Sequence, residues 1–190
     1  AKKNIIWDWN GTILDDAHHA VSVCNELLVR EKLATLDIDY YKSVFDFPIK
    51  AYYEAIGFDF EKLSFADLCE DFVRLYMEGV GECKPHLSIV EVLKTFKSAN
   101  KNQFVLSAAD QGSLDVMVDK FELRSHFSQV FGIHDKFGAS KVERAKELME
   151  IEKMMPIETV FIGDTTHDVE VAEAIGVDAI LLDHGHQTKE

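Results

Sequence analysis

The sequence predicts an α/β protein: a parallel five-stranded core sheet, interrupted after its first strand by an all-helical insertion. Two observations carry that reading. Five apolar runs of four to six residues alternate with amphipathic helical patterns, as in strands buried on both faces of a parallel sheet. Between the first run and the others lie about seventy residues with only helical periods.

The first run, Asn4–Trp9, delivers Asp8 to the brink of a tight Gly11-Thr12 turn. Beyond it, Ala17, Val21, Cys24 and Leu28 form a helical stripe. Pro48 can start, and Gly57 stop, a short helix around Ile49–Ile56. Ser64-x-x-Asp67 opens another, whose inner face is Phe65, Leu68, Phe72, Leu75 and Tyr76. These aromatic stripes read as core rather than as a ligand box. Ser88-Ile89-Val90-Glu91 has the form of a capping box for a helix to about Ser98. A strand at Gln103–Ser107 precedes a helix over Gly112–Phe121 with Leu114, Met117, Val118 and Phe121 on one face. The strand at Gln129–Ile133 leads to a helix over Lys141–Ile151 that buries Val142, Ala145, Leu148 and Met149. After a strand at Thr159–Gly163, a helix from about Thr166 stops at Gly176, a left-handed cap, and Asp178–Leu182 closes the series. The expected division is a core of residues 1–14 and 84–190 with an inserted subdomain of residues 15–83.

At 190 residues and 47% apolar content the chain can bury one core domain with a smaller insertion. Its net charge of −14 argues against nucleic acid, which needs clustered Lys and Arg. Any anion must be handled locally, by a metal, a lysine or helix-end amides. Cys24, Cys69 and Cys83 form no C-x-x-C pair, so reduced thiols in a cytoplasmic protein are expected. No apolar run approaches a membrane span, and the basic start Ala1-Lys2-Lys3 lacks a signal peptide's hydrophobic region.

In an open parallel sheet, ligands bind beyond the carboxyl ends of the strands. There this sequence gathers Asp8, Ser107, Gly163-Asp164 and, four residues on, Asp168, with Lys141 at a helix start. Each alone has a duller reading: a turn-capping acid, a serine satisfying a strand end, a solvated lysine, a helix N-terminal charge. Lys141 is the misfit, because cations are disfavoured at helix starts. Together they resemble the haloacid dehalogenase superfamily. The matching pieces are DWNGTILD (Asp8–Asp15), VLSAAD (Val105–Asp110), SKVERAKELM (Ser140–Met149) and VFIGDTTHDVEVAEAIG (Val160–Gly176), in the family's order.

The resemblance implies a Rossmann-like core with the α-helical cap of the phosphoglycolate-phosphatase-like branch. It further implies a Mg2+-dependent phosphatase acting on a small phosphorylated metabolite. Asp8, the backbone carbonyl of Asn10 and Asp164 would bind Mg2+, with Asp168 in the second shell or bound through water. Asp8 would attack phosphorus and form an aspartyl-phosphate, while Ser107, Ala108 and Lys141 hold the phosphoryl oxygens. Backbone donors of the Trp9–Gly11 turn should help. The expected partner is the small substrate alone, with neither nucleic acid nor membrane, on a monomer or homodimer.

One position departs from that pattern. Where the family's phosphatases carry an aspartic acid that protonates the leaving group and activates water, this chain has Asn10. Asn10 can offer its carbonyl to a metal but cannot exchange a proton, at a loss of about 10²–10⁴ in rate. Three readings stay open: a phosphatase whose proton shuttle lies elsewhere, an engineered replacement that traps the intermediate, or chemistry displaced from ester hydrolysis. The last includes phosphonate cleavage, which a cap lysine (Lys42, Lys50 or Lys62) would support through an imine. A fourth is an impaired domain that binds a phosphorylated metabolite as a signal. His18, His19, His167, His184 and His186 fit no zinc spacing and are expected to be non-catalytic. Asp110 and Gln111 follow Ser107 closely enough to reach substrate, but a solvated loop is the expectation for them. Phe45-Asp46-Phe47-Pro48 sits where related caps touch the leaving group, or is a helix-to-helix turn.

Overall fold

The computed structural model describes residues 1–134 and 141–188. Ser140, the first residue of the third motif, lies outside them. Five strands form one parallel sheet: β1 (Asn4–Trp7), β4 (Asn102–Asp110), β5 (Gln129–Ile133), β6 (Thr159–Gly163) and β7 (Asp178–Leu181), in the order β5-β4-β1-β6-β7. Helices α5 (Leu87–Ser98) and α6 (Gln111–Lys120) cover one face, and α7 (Lys141–Ile151) and α8 (Thr166–Ala174) the other.

Strand residues alternate between these two layers. Ile5, Trp7 and Val105 pack with Leu93, Leu114 and Met117, whereas Ile6, Phe104 and Phe161 pack with Ala145, Leu148 and Val171. Each fully buried Ile or Phe of this set stabilises the fold by about 1.5–3 kcal/mol. Gly176 does take positive φ (72°) behind α8, as a left-handed cap requires.

Residues between β1 and α5 form a helical subdomain of α1 (Ala17–Arg30), α2 (Ile38–Val44), α3 (Ile49–Ala55) and α4 (Phe65–Gly79). It has its own apolar core, in which Cys24, Leu28, Tyr41, Tyr53 and Leu68 are buried. The chain enters and leaves it through a two-residue antiparallel pair, β2 (Leu14–Asp15) with β3 (Lys84–Pro85). Asn25 pins the stretch before α2 by bonding both the carbonyl and the N–H of Leu36 (2.9 and 2.7 Å). Asp37 caps α2 and Ser64 caps α4, each accepting a backbone N–H. The three cysteines are unpaired, and burial pushes their thiols up to about 11. Among the described residues, no helix is long and apolar enough to cross a membrane.

Two local expectations are corrected. The cap of α5 is His86 and not Ser88: the helix begins at Leu87 and has no side-chain cap bond, so Ser88 falls inside its first turn. Strand β4 runs on past Ser107 to Asp110, with a register shift between Leu106 and Asp110, and α6 starts at once. Asp110 and Gln111 therefore do not lie in a solvated loop. Asp110 caps α6 by accepting the Ser113 N–H (3.1 Å). Gln111 sews α6 to β5, donating to the Val130 carbonyl (3.0 Å) and accepting from the Gly132 N–H (2.8 Å).

Candidate active site

The strand order β4-β1-β6 sets the carboxyl ends of three adjacent strands side by side. Asp8 follows β1, and its N–H continues the ladder to the Ile162 carbonyl (2.8 Å). Ser107 stands on β4 and Asp164 just beyond β6. Lys141 opens α7, and Asp168 lies in the first turn of α8. All five side chains are buried. Lys141 Nζ donates to Asp8 Oδ1 (2.5 Å) and to Asp168 Oδ1 (2.7 Å), joining three elements in one contact.

The remaining bonds fix orientation. Asp168 Oδ2 accepts from the N–H of Asp164, the N–H of Thr165 and the Thr165 hydroxyl, all at 3.0 Å. Thr12 Oγ1 donates to Asp164 Oδ1 (2.8 Å) and lies 3.3 Å from Asp8 Oδ2. Gly11, at φ +77°, turns the chain where a Cβ would strike the Asp164 carboxylate. Ser107 Oγ accepts the Ala109 N–H (3.1 Å) and faces Asn10 Oδ1 at 3.4 Å.

One oxygen from each of Asp8, Asp164 and Asp168 lies within 4.8 Å of the others. Among the described residues, Lys141 bonds Asp8 and Asp168, and the His186 charge acts on Asp164. Burial pushes the Asp8 carboxyl well up, against the pull of Lys141, and raises Asp164 as well. Burial would raise Asp168 too, but the Lys141 ammonium overrides it and holds that carboxyl low. Lys141 is held cationic by Asp168 and Asp8 despite its burial. Such an excess of buried, hard oxygen ligands is what a divalent cation would balance.

Asp16, His186, Tyr76 and Tyr41 belong to the same site without having been expected there. Asp16 is 1% exposed. Its Oδ1 accepts from the Gly11 N–H (2.8 Å) and from His186 Nε2 (3.0 Å); its Oδ2 accepts from Asn10 Nδ2 (2.9 Å) and the Tyr76 hydroxyl (2.6 Å). Burial alone would raise Asp16, but the His186 charge and these donors hold it low. Burial would likewise lower His186, yet Asp16 lifts it to about 9. His186 also bonds Tyr41 through Nδ1 (2.7 Å), and its backbone N–H reaches Asp164 Oδ2 (2.7 Å). Asp16 carried a signal, since it directly follows the first motif. His186 carried none, lying beyond the last strand and 170 residues from its partner.

The other histidines sit at the margin: His19 Nε2 is 2.8 Å from the Tyr76 carbonyl, and His167 stacks on Phe47 at 4.4 Å. Trp9 is buried against Phe121. The helical subdomain roofs a cavity of about 190 Å³ above Asp8. Its floor includes Asn10, Ser107, Ala108, Lys141 and Asp168; Phe45 and Phe47, from the α2–α3 turn, are part of its roof. Lys42, Lys50 and Lys62 are not among the lining residues, and the last two face solvent beside Glu54 and Asp59. The geometry thus gives no support to a cap-lysine imine.

A family model for haloacid dehalogenase-like hydrolases matches residues 5–182. Similar curated proteins include a phosphoglycolate phosphatase of Caulobacter vibrioides, 25% identical over 96% of this chain and 79% of that protein. Another, from Mesorhizobium japonicum, is 20% identical over 96% of this chain and 83% of its own length. Among solved structures, a predicted phosphatase from Clostridium acetobutylicum superposes with TM-score 0.83 at 17% identity, covering 99% of this chain and 88% of that one. CbbY from Rhodobacter sphaeroides, in complex with phosphate, gives TM-score 0.75 at 15% identity over 100% and 90%. At those identities the structures speak for the fold alone.

Proposed function

Because this chain belongs to the haloacid dehalogenase-like hydrolases, we propose that it is a Mg2+-dependent phosphatase of small phosphorylated molecules, working through an aspartyl-phosphate on Asp8. One observation carries the reading: Lys141 holds Asp8 Oδ1 at 2.5 Å at the sheet edge, among buried Ser107, Asp164 and Asp168. A buried lysine bound to two acids is costly unless it is put to use. The relatives named phosphoglycolate phosphatase support the reaction class.

Asp8, Asp164 and the backbone carbonyl of Asn10 would hold the Mg2+, and Asp168, engaged by Lys141 and the Thr165 turn, would act beside it. When bound, the ion screens the charges that would otherwise keep a carboxylate from a phosphate dianion. An Asp8 oxygen attacks phosphorus in line; the bond to the leaving oxygen breaks and phospho-Asp8 forms. Lys141, the Ser107 hydroxyl and the Ala108 backbone hold the equatorial oxygens as charge spreads over them. Gly11's N–H is engaged by Leu14 and Asp16, so the turn's remaining donors for this task are Trp9 and Asn10. Water then opens phospho-Asp8 and releases phosphate. Asn10 cannot deliver a proton to the leaving oxygen, which slows esters of poor leaving groups most. The helical roof excludes bulk water from the reacting atoms.

The test measures phosphate release from a panel of phosphomonoesters, with Mg2+ or with EDTA, beside an Asp8→Asn variant. Release that needs both Mg2+ and Asp8 is expected, together with a beryllofluoride adduct on Asp8 in crystals soaked with Mg2+. Equal release from Asp8→Asn refutes the reading.

A further inference from the structure

The cavity over Asp8 has two chemically unlike halves. Its floor is charged. Its roof is built from Phe45, Phe47, Tyr52, Tyr53, Phe72 and Met77. The helical subdomain contributes no lysine, arginine or histidine to the lining among the described residues. The acids Asp16 and Asp110 line it too, and Asp110 Oδ2 is buried there with no hydrogen-bond partner among the described residues. Three tyrosine hydroxyls around the cavity are already engaged. Tyr41 is bonded to His186, Tyr76 to Asp16, and Tyr52 lies 3.6 Å from Cys24 Sγ. His186 offers the cavity no free ring nitrogen either, since Asp16 and Tyr41 take both.

A substrate whose leaving group carries a carboxylate would bury that charge among rings, beside two acids and, among the described residues, with no cation of the roof to meet it. Burying an unpaired charge is heavily disfavoured. An uncharged ring meets the opposite situation, because aromatic pairs gain beyond the area they bury. Size agrees. A cavity of about 150 Å³ suffices for benzene, and this one holds about 190 Å³.

Asn10 points the same way, from chemistry instead of shape. A phenolic oxygen ionises near pH 10, as tyrosine does, whereas an alkyl alcohol, like water, holds its proton far more tightly. Phenolate can leave with its electron pair and take a proton from solvent afterwards; an alkoxide needs the acid that position 10 lacks.

We infer that the substrates are phosphomonoesters with an uncharged, flat aromatic leaving group, and not the carboxylate-bearing phosphoglycolate of the relatives' names. This rests on the phosphatase reading above. In the reaction the P–O(aryl) bond breaks, the Asp8 O–P bond forms, and water later returns Asp8 and inorganic phosphate.

The experiment compares phenyl phosphate with phosphoglycolate as substrates, and phenylphosphonate with phosphonoacetate as non-hydrolysable inhibitors, all with Mg2+. The inhibitors separate fit from leaving-group chemistry. Phenyl phosphate should be preferred about 100-fold in kcat/KM, and phenylphosphonate should bind about tenfold more tightly. Val73→Arg, which sets a cation in the half-exposed lining of α4, should reverse the inhibitor preference. If phosphoglycolate is turned over better, or phosphonoacetate binds as well to the unaltered chain, the inference falls and the phosphatase stands. If no ester releases phosphate in an Asp8-dependent way, both fall. An inhibitor preference that Val73→Arg leaves unmoved overturns the role given to the roof.

Discussion

Restoring an acid at position 10 is the sharpest perturbation of this site. Asn10 Nδ2 sits 2.9 Å from both Asp16 Oδ2 and the Tyr76 hydroxyl, so Asn10→Asp replaces an amide donor with an oxygen facing a carboxylate. Two unit charges about 4 Å apart at an effective dielectric near 20 repel by about 4 kcal/mol, or about three pKa units. Asp16 is held low by His186, so the new carboxyl at position 10 takes the shift and keeps its proton near neutrality. That is the form a general acid needs. Asn10→Asp should therefore speed hydrolysis of an alkyl phosphate about 10²–10³-fold, and of phenyl phosphate less than about tenfold. Stability should move oppositely. A carboxyl whose folded pKa exceeds its unfolded value destabilises above the unfolded pKa, here by about 4 kcal/mol at pH 8, and little at pH 4. Adding Asp16→Asn removes the repulsion and should recover most of that loss. The assays are steady-state kinetics on both esters and thermal unfolding across pH. Identical alkyl-ester rates in both proteins, or a double variant no more stable than the single, would refute the reasoning.

Three further outcomes follow from the same contacts. Lys141→Met leaves Asp8 and Asp168 buried without their cation; unfolding should come about 3–5 kcal/mol sooner in denaturant melts, with phosphate release lost. Mg2+ at about 100 times its Kd should stabilise the chain by about 2.7 kcal/mol in thermal-shift titrations, and Asp164→Asn should abolish that gain. His186 is lifted from its ordinary 6.5 to about 9, so its contribution is complete below pH 6.5 and is lost as pH rises through about 9. Metal-free protein should thus lose about 3 kcal/mol over that window, and His186→Asn should flatten the slope of Tm against pH.

The sheet was legible because strands buried on both faces must be short and apolar, a pattern that survives without tertiary information. What stayed hidden was set by contacts between elements. β4 continues to Asp110 because Gln111 is tied to β5 at Val130 and Gly132, a pairing no run of Ala108-Ala109 announces. The β2–β3 pair is two residues on each side, too short for any periodicity. His86 replaces Ser88 as the α5 cap because its N–H bonds the Ile13 carbonyl, across from the first strand's turn. In the site, Asp8, Ser107, Lys141, Asp164 and Asp168 were legible through motifs that keep one order along the chain. Asp16 gave only its place directly after the first motif and His186 gave nothing, because their contact exists only once the start of α1 and the segment after β7 meet.

That meeting also governs access. The segment after β7 straps α2 over the cavity: His186 bonds Tyr41, Gln187 Nε2 donates to the Phe45 carbonyl (2.9 Å), and the Thr188 N–H to the Lys42 carbonyl (3.3 Å). Each such bond contributes about 1 kcal/mol net, so parting all three would cost about 3 kcal/mol before the Phe45–His186 and Phe47–His167 ring contacts are counted, and would leave at most about one molecule in 150 open. A substrate that enters only the open form has its affinity reduced by that fraction, unless its own contacts favour closure. The proposed aromatic leaving group would make such contacts, since Phe45 and Phe47 belong both to the strapped turn and to the roof. A small charged leaving group gains nothing from those rings. On the proposed reading, specificity would then be exerted before chemistry begins, by which molecules can keep the strap shut long enough for Asp8 to act.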